Sequence, residues 1–333
     1  LDNILEVPSE YEEQVEYLRE LFLDACKIRM RSDVPIGTAL SGGVDSSAVI
    51  GAMKQVSVGN DVHINADWQH AFVASMPNTT IDETEYAKKA ADYIGISIHK
   101  VPITAKIDPD EIYKYIYMCE EPYLTSPIPF FQTYGYIRGK GIKVTLDGHG
   151  ADELFGGYRT PIYAAAKDYR RDKRIMKQLL QTYNDMNFRE NRIKMDALLD
   201  RVDKRYLERS VDENHDNWKK LSECNRRLYI EVHEQILPTL LRCYDRYSMG
   251  NSVEIRMPFL DYRIVCFAFS IPDTSKLRDG YTKMIVRDAM APFMDKEIMY
   301  RKLKIGFNSP LTEWFQTELK EFLLDIIHSK DFF

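Results

Sequence analysis

The tightest constraint on the fold is the stretch Ser41-Gly42-Gly43-Val44-Asp45-Ser46-Ser47, set between an apolar run from Val34 to Leu40 and another from Ala48 to Met53. An apolar run, paired glycines, then polar residues opening a second apolar run predict strand, tight turn and helix start. Without Cβ atoms at Gly42 and Gly43, the backbone can turn so that several N–H groups face one point. Ser46 or Ser47 is expected to cap the helix, whose first-turn amides and positive dipole end face the same point. Such a cradle prefers an anion, above all phosphate. Asp45 would repel phosphate there unless a metal lay between them, so the loop points to magnesium nucleotide rather than bare phosphate. The Gly-Lys-Ser/Thr ending of a Walker A loop is missing, which turns the reading away from γ-phosphate transfer.

Periodicity places further elements around this loop. Residues 10–32 carry Val15, Leu18, Phe22, Ala25 and Ile28 on one face, acidic early and basic late, and predict an amphipathic helix. His70 to Ser75 reads as a strand, Asp82 to Ile94 as a helix stopped by Gly95, and Ile96 to Ile103 as a strand. Helices are expected around 109–120 and 130–139, then a strand from Ile142 to Leu146. Strands alternating with helices predict an α/β fold, a parallel sheet flanked by helices, with ligands at the carboxyl ends of the strands. From Arg159 the pattern changes to charged and helical. The basic run Tyr169 to Arg174 lies among acidic residues and reads as a solvated helix face. Helices are also expected over 258–271, 281–290 and 312–327. The chain thus divides into an α/β part, 1–158, and a mainly helical part, 159–333.

Bulk properties narrow the function classes. A net charge of −6 gives no overall pull towards nucleic acid or an anionic membrane, and no apolar run approaches spanning length. Cys26, Cys119, Cys224, Cys243 and Cys266 are scattered, with no Cys-x-x-Cys and no histidine at metal spacing. Thiols in a reducing compartment, and hence a cytoplasmic protein, are expected.

A second stretch, Asp147-Gly148-His149-Gly150-Ala151-Asp152-Glu153-Leu154-Phe155-Gly156-Gly157-Tyr158, follows the strand ending at Leu146. Glycines flank His149, giving another loop of close approach. Asp152 and Glu153 open a helix, where carboxylates are favourable as caps and as metal ligands.

The first loop resembles the pyrophosphate loop of enzymes that split ATP into AMP and pyrophosphate. With the second stretch, the chain resembles the synthetase domain of the asparagine synthetase family, which includes β-lactam synthetases and lasso-peptide cyclases. The likeness runs over nearly all 333 residues. It takes in Arg31 to Gly37, Glu120-Glu121-Pro122, Asp245 to Met249, Glu254 to Asp261 and Arg301 to Phe307. It implies a pyrophosphate-loop fold in which ATP activates a carboxylate as an acyl-adenylate and an amine then attacks the acyl carbon.

Carried onto this chain, the resemblance gives Ser41, Gly42, Gly43, Asp45 and Ser46 to the phosphates, with Gly148 and Gly150 in the facing loop. It gives Asp45 and Asp152 to Mg²⁺, and Lys304 to the negative charge that develops in adenylation and amide formation. Leu40 and the segment Val73 to Ser75 match the adenosine-holding strand ends, although Ser75 also fits a simple strand-end polar residue. Glu254 and Arg256 fall in a block beneath the substrate site; Arg256 either binds a substrate carboxylate or makes a structural ion pair.

Two departures bear on the substrate. His149 stands where asparagine-forming enzymes commonly place Glu and β-lactam synthetases Tyr; its near-neutral pKa suits proton transfer. The stretch Tyr123 to Pro127 has no Arg where asparagine-forming enzymes often use one. The family's glutaminase domain, which opens on a catalytic Cys, has no counterpart in these residues. Ammonia is therefore expected to come from glutamine through a domain missing from the chain.

The leading expectation is an asparagine synthetase of the glutamine-hydrolysing type, using ATP and Mg²⁺ on a small carboxylate, with no nucleic-acid or membrane partner. A homodimer is compatible with it. The alternative keeps the chemistry and changes the acceptor, to a sugar uronate or to cyclisation of a peptide or β-lactam precursor. A tRNA-modifying pyrophosphate-loop enzyme would want a basic face, and a nucleotide-binding relic would not keep Asp45, Asp152 and Lys304 together.

Overall fold

The computed structural model describes residues 1–330 apart from 3, 59–63, 106–107, 122–125 and 205–209. Its first part alternates helix and strand: α1 (Tyr11–Arg29), β1 (Ile36–Ala39), α2 (Val44–Ser57), β2 (His70–Ser75), α3 (Thr84–Ile94), β3 (Ile98–Pro102), α4 (Pro109–Cys119), α5 (Ile128–Gly139) and β4 (Val144–Leu146). Local chemistry accounts for the boundaries. Glu12 and Glu13 open α1 and Lys27 and Arg29 close it, each charge matching the dipole end beside it. Gly95, with φ 80°, ends α3 in the left-handed conformation that glycine adopts without Cβ strain. Asp108 caps α4 through the N–H of Asp110.

All strand pairings are parallel, in the order β3-β2-β1-β4, with β5 (Glu254–Arg256) beside β4. This is the parallel sheet flanked by helices that the alternation predicts, with one addition. The edge strand β5 comes from the helical part and is too short, at three residues, to leave a periodic signal. Ile36, Gly37 and Thr38 of β1 are all buried, because helices cover both faces and leave no polar side to the central strand.

After β4, α6 (Ala151–Phe155) closes the α/β part, and the helical part then brings α7 (Arg159–Asp168), α8 (Lys173–Asp185), α9 (Met195–Lys204), α10 (Glu223–His233) and α11 (Ile236–Met249) before β5. After it come α12 (Tyr262–Ser270), α13 (Asp273–Lys276), α14 (Met284–Met290), α15 (Lys296–Met299), α16 (Leu311–Gln316) and α17 (Lys320–Ile327). Arg170, Arg171, Lys173 and Arg174 lie exposed, so the basic run is a solvated face. The expected helix over 312–327 is two: the Leu319 N–H folds back onto the Trp314 carbonyl at 2.8 Å and breaks the repeat. One apolar core runs through both parts, from Phe22 and Val49 through Leu154 to Ile162, Leu180, Leu228 and Phe267. Burial of such side chains, about 1.5–3 kcal/mol each, fixes the helical part against the sheet. Among the described residues no helix is long and apolar enough to cross a membrane.

Candidate active site

The strand order reverses between β1 and β4, and at such a switch point the loops leaving the two strands part and open a crevice. Asp147 ties the two strand ends together: Oδ1 accepts the Ala39 N–H at 3.0 Å and Oδ2 accepts the Tyr134 hydroxyl at 2.8 Å. Burial pushes the pKa of Asp147 up, against the pull of His149 and of these donors. The first glycine-containing stretch begins at Ser41, two residues beyond Ala39, and Asp147 itself opens the second.

In the first loop the N-cap of α2 is Gly43, not a serine. The expected cap by Ser46 or Ser47 does not form, because both residues already lie inside the first helical turn. The Ser46 hydroxyl instead turns back, accepting the Ser41 N–H at 3.2 Å and lying 3.2 Å from the Ser41 hydroxyl. Ser47 is buried, its hydroxyl without a partner among the described residues. A glycine cap has no side chain to close the first-turn N–H groups, which leaves them to a ligand. Gly42 has φ 71°, and a Cβ there would come within 2.3 Å of the Tyr86 backbone, so this glycine seats the loop on α3.

The second loop packs against the first. A Cβ on Gly148 would lie 2.7 Å from the Asp45 carbonyl carbon, and one on Gly150 would lie 2.3 Å from Leu260. Both glycines therefore serve contact between protein segments. Asp152 stands in the first turn of α6. The Lys283 ammonium donates to Asp152 Oδ1 at 2.8 Å and to both oxygens of Asp45, at 2.7 and 2.9 Å. Lys304 donates to Asp152 Oδ2. Burial alone would raise the pKa of Asp152, but Lys283 and Lys304 override it and hold the carboxyl well below the usual carboxylate range. Burial lowers the pKa of Lys283 less than Asp152 and Asp45 raise it, so its ammonium is held above the ordinary lysine value.

Glu153, next to Asp152, behaves in the opposite way. Burial and the Asp152 charge push it up to about 7, although its Oε1 accepts the Tyr158 hydroxyl at 2.6 Å. His149 packs its ring on Tyr244, with centroids 3.9 Å apart. Burial lowers its pKa despite the nearby Asp147, Asp45 and Asp152, and the imidazole is held neutral at physiological pH.

These groups line one cavity of about 330 Å³, the size of a small-molecule site. Leu40, Ser41, Gly43, Asp45, Ser46, Val73, Gly148, His149, Gly150, Asp152 and Lys304 are all on its wall. Gly42, Ser75, Glu254 and Arg256 are not. Gly42 faces α3, and the Ser75 carbonyl accepts the Ile103 N–H at the sheet edge. Arg256 donates to Glu254 at 2.7 Å, making the structural ion pair, and to the carbonyls of Arg29 and Arg31. Of the stretch around Glu120 to Pro127, residues 122–125 lie outside the described residues.

Sequence reasoning missed Lys283, Glu83 and Arg301. Lys283 sits just before α14 with φ 53°, a backbone state uncommon outside glycine and seen where tertiary contacts hold a residue in place. Arg301 donates to Glu83 at 2.7 Å, lies over the Tyr86 ring, and keeps Nη1 buried without a partner among the described residues. A lysine before an apolar helix and a glutamate opening one carry no sequence signal of their own; their role comes from what the fold brings opposite.

Asp45 and Asp152 direct hard oxygen donors at one point, where the structure has a lysine ammonium. That donor set suits Mg²⁺, which takes one or two carboxylates and completes its shell with water and phosphate oxygens. No group of three or more potential ligands exists among the described residues, so such an ion would depend on a bound phosphate.

A family model described as asparagine synthase matches residues 17–332. The chain is 28% identical to the glutamine-hydrolyzing asparagine synthetase 1 of Bacillus subtilis, over 98% of this chain and 54% of that protein. It is 28% identical to asparagine synthetase 3 of the same organism, over 88% and 48%. It is also 25% identical to a Penicillium rubens protein named as an amidase, over 91% and 53%. The chain thus spans about half the length of these curated relatives. With a glycine-capped loop on β1, a carboxylate loop on β4 and a match over almost its whole length, the chain belongs to the asparagine synthase family.

Proposed function

We propose that this chain carries out ATP-dependent amide formation: adenylation of a carboxylate with release of pyrophosphate, then transfer of ammonia or an amine to the acyl carbon. The observation that carries this reading is the convergence of Lys283 and Lys304 on Asp152 and Asp45, beside uncapped helix amides and a neutral imidazole. Adenylation builds charge on the departing pyrophosphate, and a site for it must present positive groups before the bond breaks.

In this reading the first-turn amides of α2, with Ser41, Gly43 and Ser46, hold the phosphates, and Leu40 and Val73 line the adenosine end. Lys304 stabilises negative charge at the reacting phosphate and acyl groups. Asp45 and Asp152 would hold Mg²⁺, which would neutralise phosphate charge. His149, neutral and beside the acceptor end, takes the proton that the attacking amine loses. Ammonia supplied by glutamine hydrolysis in a partner domain fits the relatives' printed names. The five thiols, without a disulfide among them, suit a cytoplasmic setting.

The test is product identity. With ATP, Mg²⁺, ammonium and a panel of carboxylates, AMP and pyrophosphate should form in step with an amide. Formation of ADP and phosphate instead would overturn the reading. A second reading of the acceptor, other than free aspartate, is favoured by His149, which stands where the family resemblance commonly places Glu.

A further inference from the structure

The cavity has two chemically distinct ends. At the β1–β2 side it is bounded by the glycine loop, Asp45, Arg301 and Lys283. Beyond His149, towards α11, its character changes. Leu237, Leu240 and Tyr244 all line it. Their spacing of three and four residues puts them in one stripe along α11, so this helix turns an apolar face to the cavity. Ile305 and Phe307 line it as well, and the Phe307 ring meets Phe130 edge-on with centroids 4.8 Å apart. Phe130, behind the lining, meets Tyr244 at 5.4 Å and Tyr244 meets His149, so the aromatic rings of this end form one chain of contacts.

The polar groups that α5 brings to this end already have partners. The Thr133 hydroxyl donates to the Pro129 carbonyl at 2.7 Å, and the Tyr134 hydroxyl to Asp147. The cations of the cavity wall are paired or stand towards the glycine loop, where Arg301 keeps Nη1 unpartnered among the described residues. Lys283 is held by Asp45 and Asp152, Lys304 by Asp152, and Arg301 by Glu83. Arg287 donates to the carbonyls of Thr282, Met299 and Arg301, and Lys302 to Asp185. Among the described residues, no cation remains at the α11 end to meet a second carboxylate. Aspartate carries one in addition to the carboxyl that reacts. Taking that charge from water into an apolar chamber without a partner costs several kcal/mol.

We infer that the acceptor is a monocarboxylic acid with an aromatic or aliphatic body, its carboxyl directed towards Lys304 and His149 and its body against Leu237, Leu240, Tyr244 and Phe307. This rests on the amide-forming reading above and names the substrate class for it. The carboxylate oxygen bonds to the α-phosphorus of ATP as pyrophosphate leaves. The amine then forms the C–N bond, AMP departs, and the amine's surplus proton passes to His149.

Binding and turnover are measured separately so that the two readings can fail separately. Calorimetry with Mg²⁺ and an ATP analogue whose α,β-bridge cannot be cleaved should show phenylacetate or hexanoate binding at least tenfold more tightly than aspartate or succinate. Aspartate binding equal to or tighter than both apolar acids, or no binding of either apolar acid, overturns the inference whatever the turnover. If phenylacetate binds yet no acid yields AMP and pyrophosphate, the amide-forming reading fails while the apolar acceptor chamber stands. Leu240→Arg should weaken apolar-acid binding at least tenfold and leave affinity for the ATP analogue within twofold. Leu240→Ala, which only removes volume, should weaken it several-fold and serves if the arginine variant does not fold. Apolar-acid affinity unchanged in a folded variant of either kind overturns the assignment of α11 as the acceptor wall.

Discussion

Lys283 Nζ lies within 2.9 Å of both Asp45 oxygens and 2.8 Å from Asp152 Oδ1, so a single ammonium joins the loop after β1 to the loop after β4. Its side chain is only 4% exposed. Removing a partner from a buried ionic cluster leaves carboxylates facing each other in a poorly hydrated space, at a cost of about 3–5 kcal/mol. Lys283→Met should therefore lower the melting temperature markedly. Added Mg²⁺ should raise the melting temperature of the variant more than that of the parent, because the divalent ion takes over the neutralising role. Equal responses to Mg²⁺ in differential scanning fluorimetry would remove Asp45 and Asp152 from the metal reading.

A second prediction concerns Glu153. In the folded chain, burial and Asp152 keep its proton to about pH 7, whereas an ordinary glutamate releases it near pH 4.5. Between those values the folded state binds more protons than the unfolded one, so stability falls as pH rises across the window and levels above it. Glu153→Gln keeps the acceptor for Tyr158 and removes the titration. The variant should be more stable than the parent at pH 8, on the order of 2 kcal/mol, with a flatter profile from pH 4.5 to 7. Parallel denaturation profiles would show that the carboxyl is already ionised in the fold.

For His149 the readout is kinetic. Burial pulls its pKa below the ordinary histidine value, so the neutral base persists into mildly acidic solution and is lost only as pH falls through that lowered value. The amide-forming rate should show an acid limb below pH 6.5, absent from His149→Gln. The variant should be about 10²-fold slower in that step with an unchanged KM for ATP. An unaltered rate and profile would leave His149 a wall residue.

The legibility of this chain in its sequence followed the physics of each feature. Strands and helices around Ser41–Ser47 were readable because buried parallel strands are short apolar runs between periodic helices. The three-residue β5 was not, since its burial depends on β4 beside it. The two loops were legible as glycine-rich punctuation, but the reason for Gly148 and Gly150 was not: they make room for Asp45 and Leu260, neighbours more than a hundred residues away. Lys283, Glu83 and Arg301 escaped notice for the same reason, as each is defined by a long-range partner of opposite charge.

Gly148 offers the sharpest test of how closely the two loops must meet. An alanine Cβ there would fall 2.7 Å from the Asp45 carbonyl carbon, 2.8 Å from the Asp45 Cβ and 2.9 Å from the Ser46 nitrogen. These are backbone or backbone-anchored atoms at the start of α2, so no flexible side chain can swing aside. Relief requires the two loops to separate, which shifts Asp45 relative to Asp152 and both relative to Lys283. Overpacking of this kind costs about 1–3 kcal/mol in stability, whereas a displacement near 1 Å in a catalytic constellation can cost about 10²-fold in rate. Gly148→Ala should accordingly stay folded at 25 °C, with pyrophosphate formation reduced about a hundredfold. Gly139→Ala, at the end of α5 with nothing within 4 Å of the added Cβ, should match the parent in both measurements. Activity near the parental level in Gly148→Ala would mean that the loops are not held at catalytic separation by this contact.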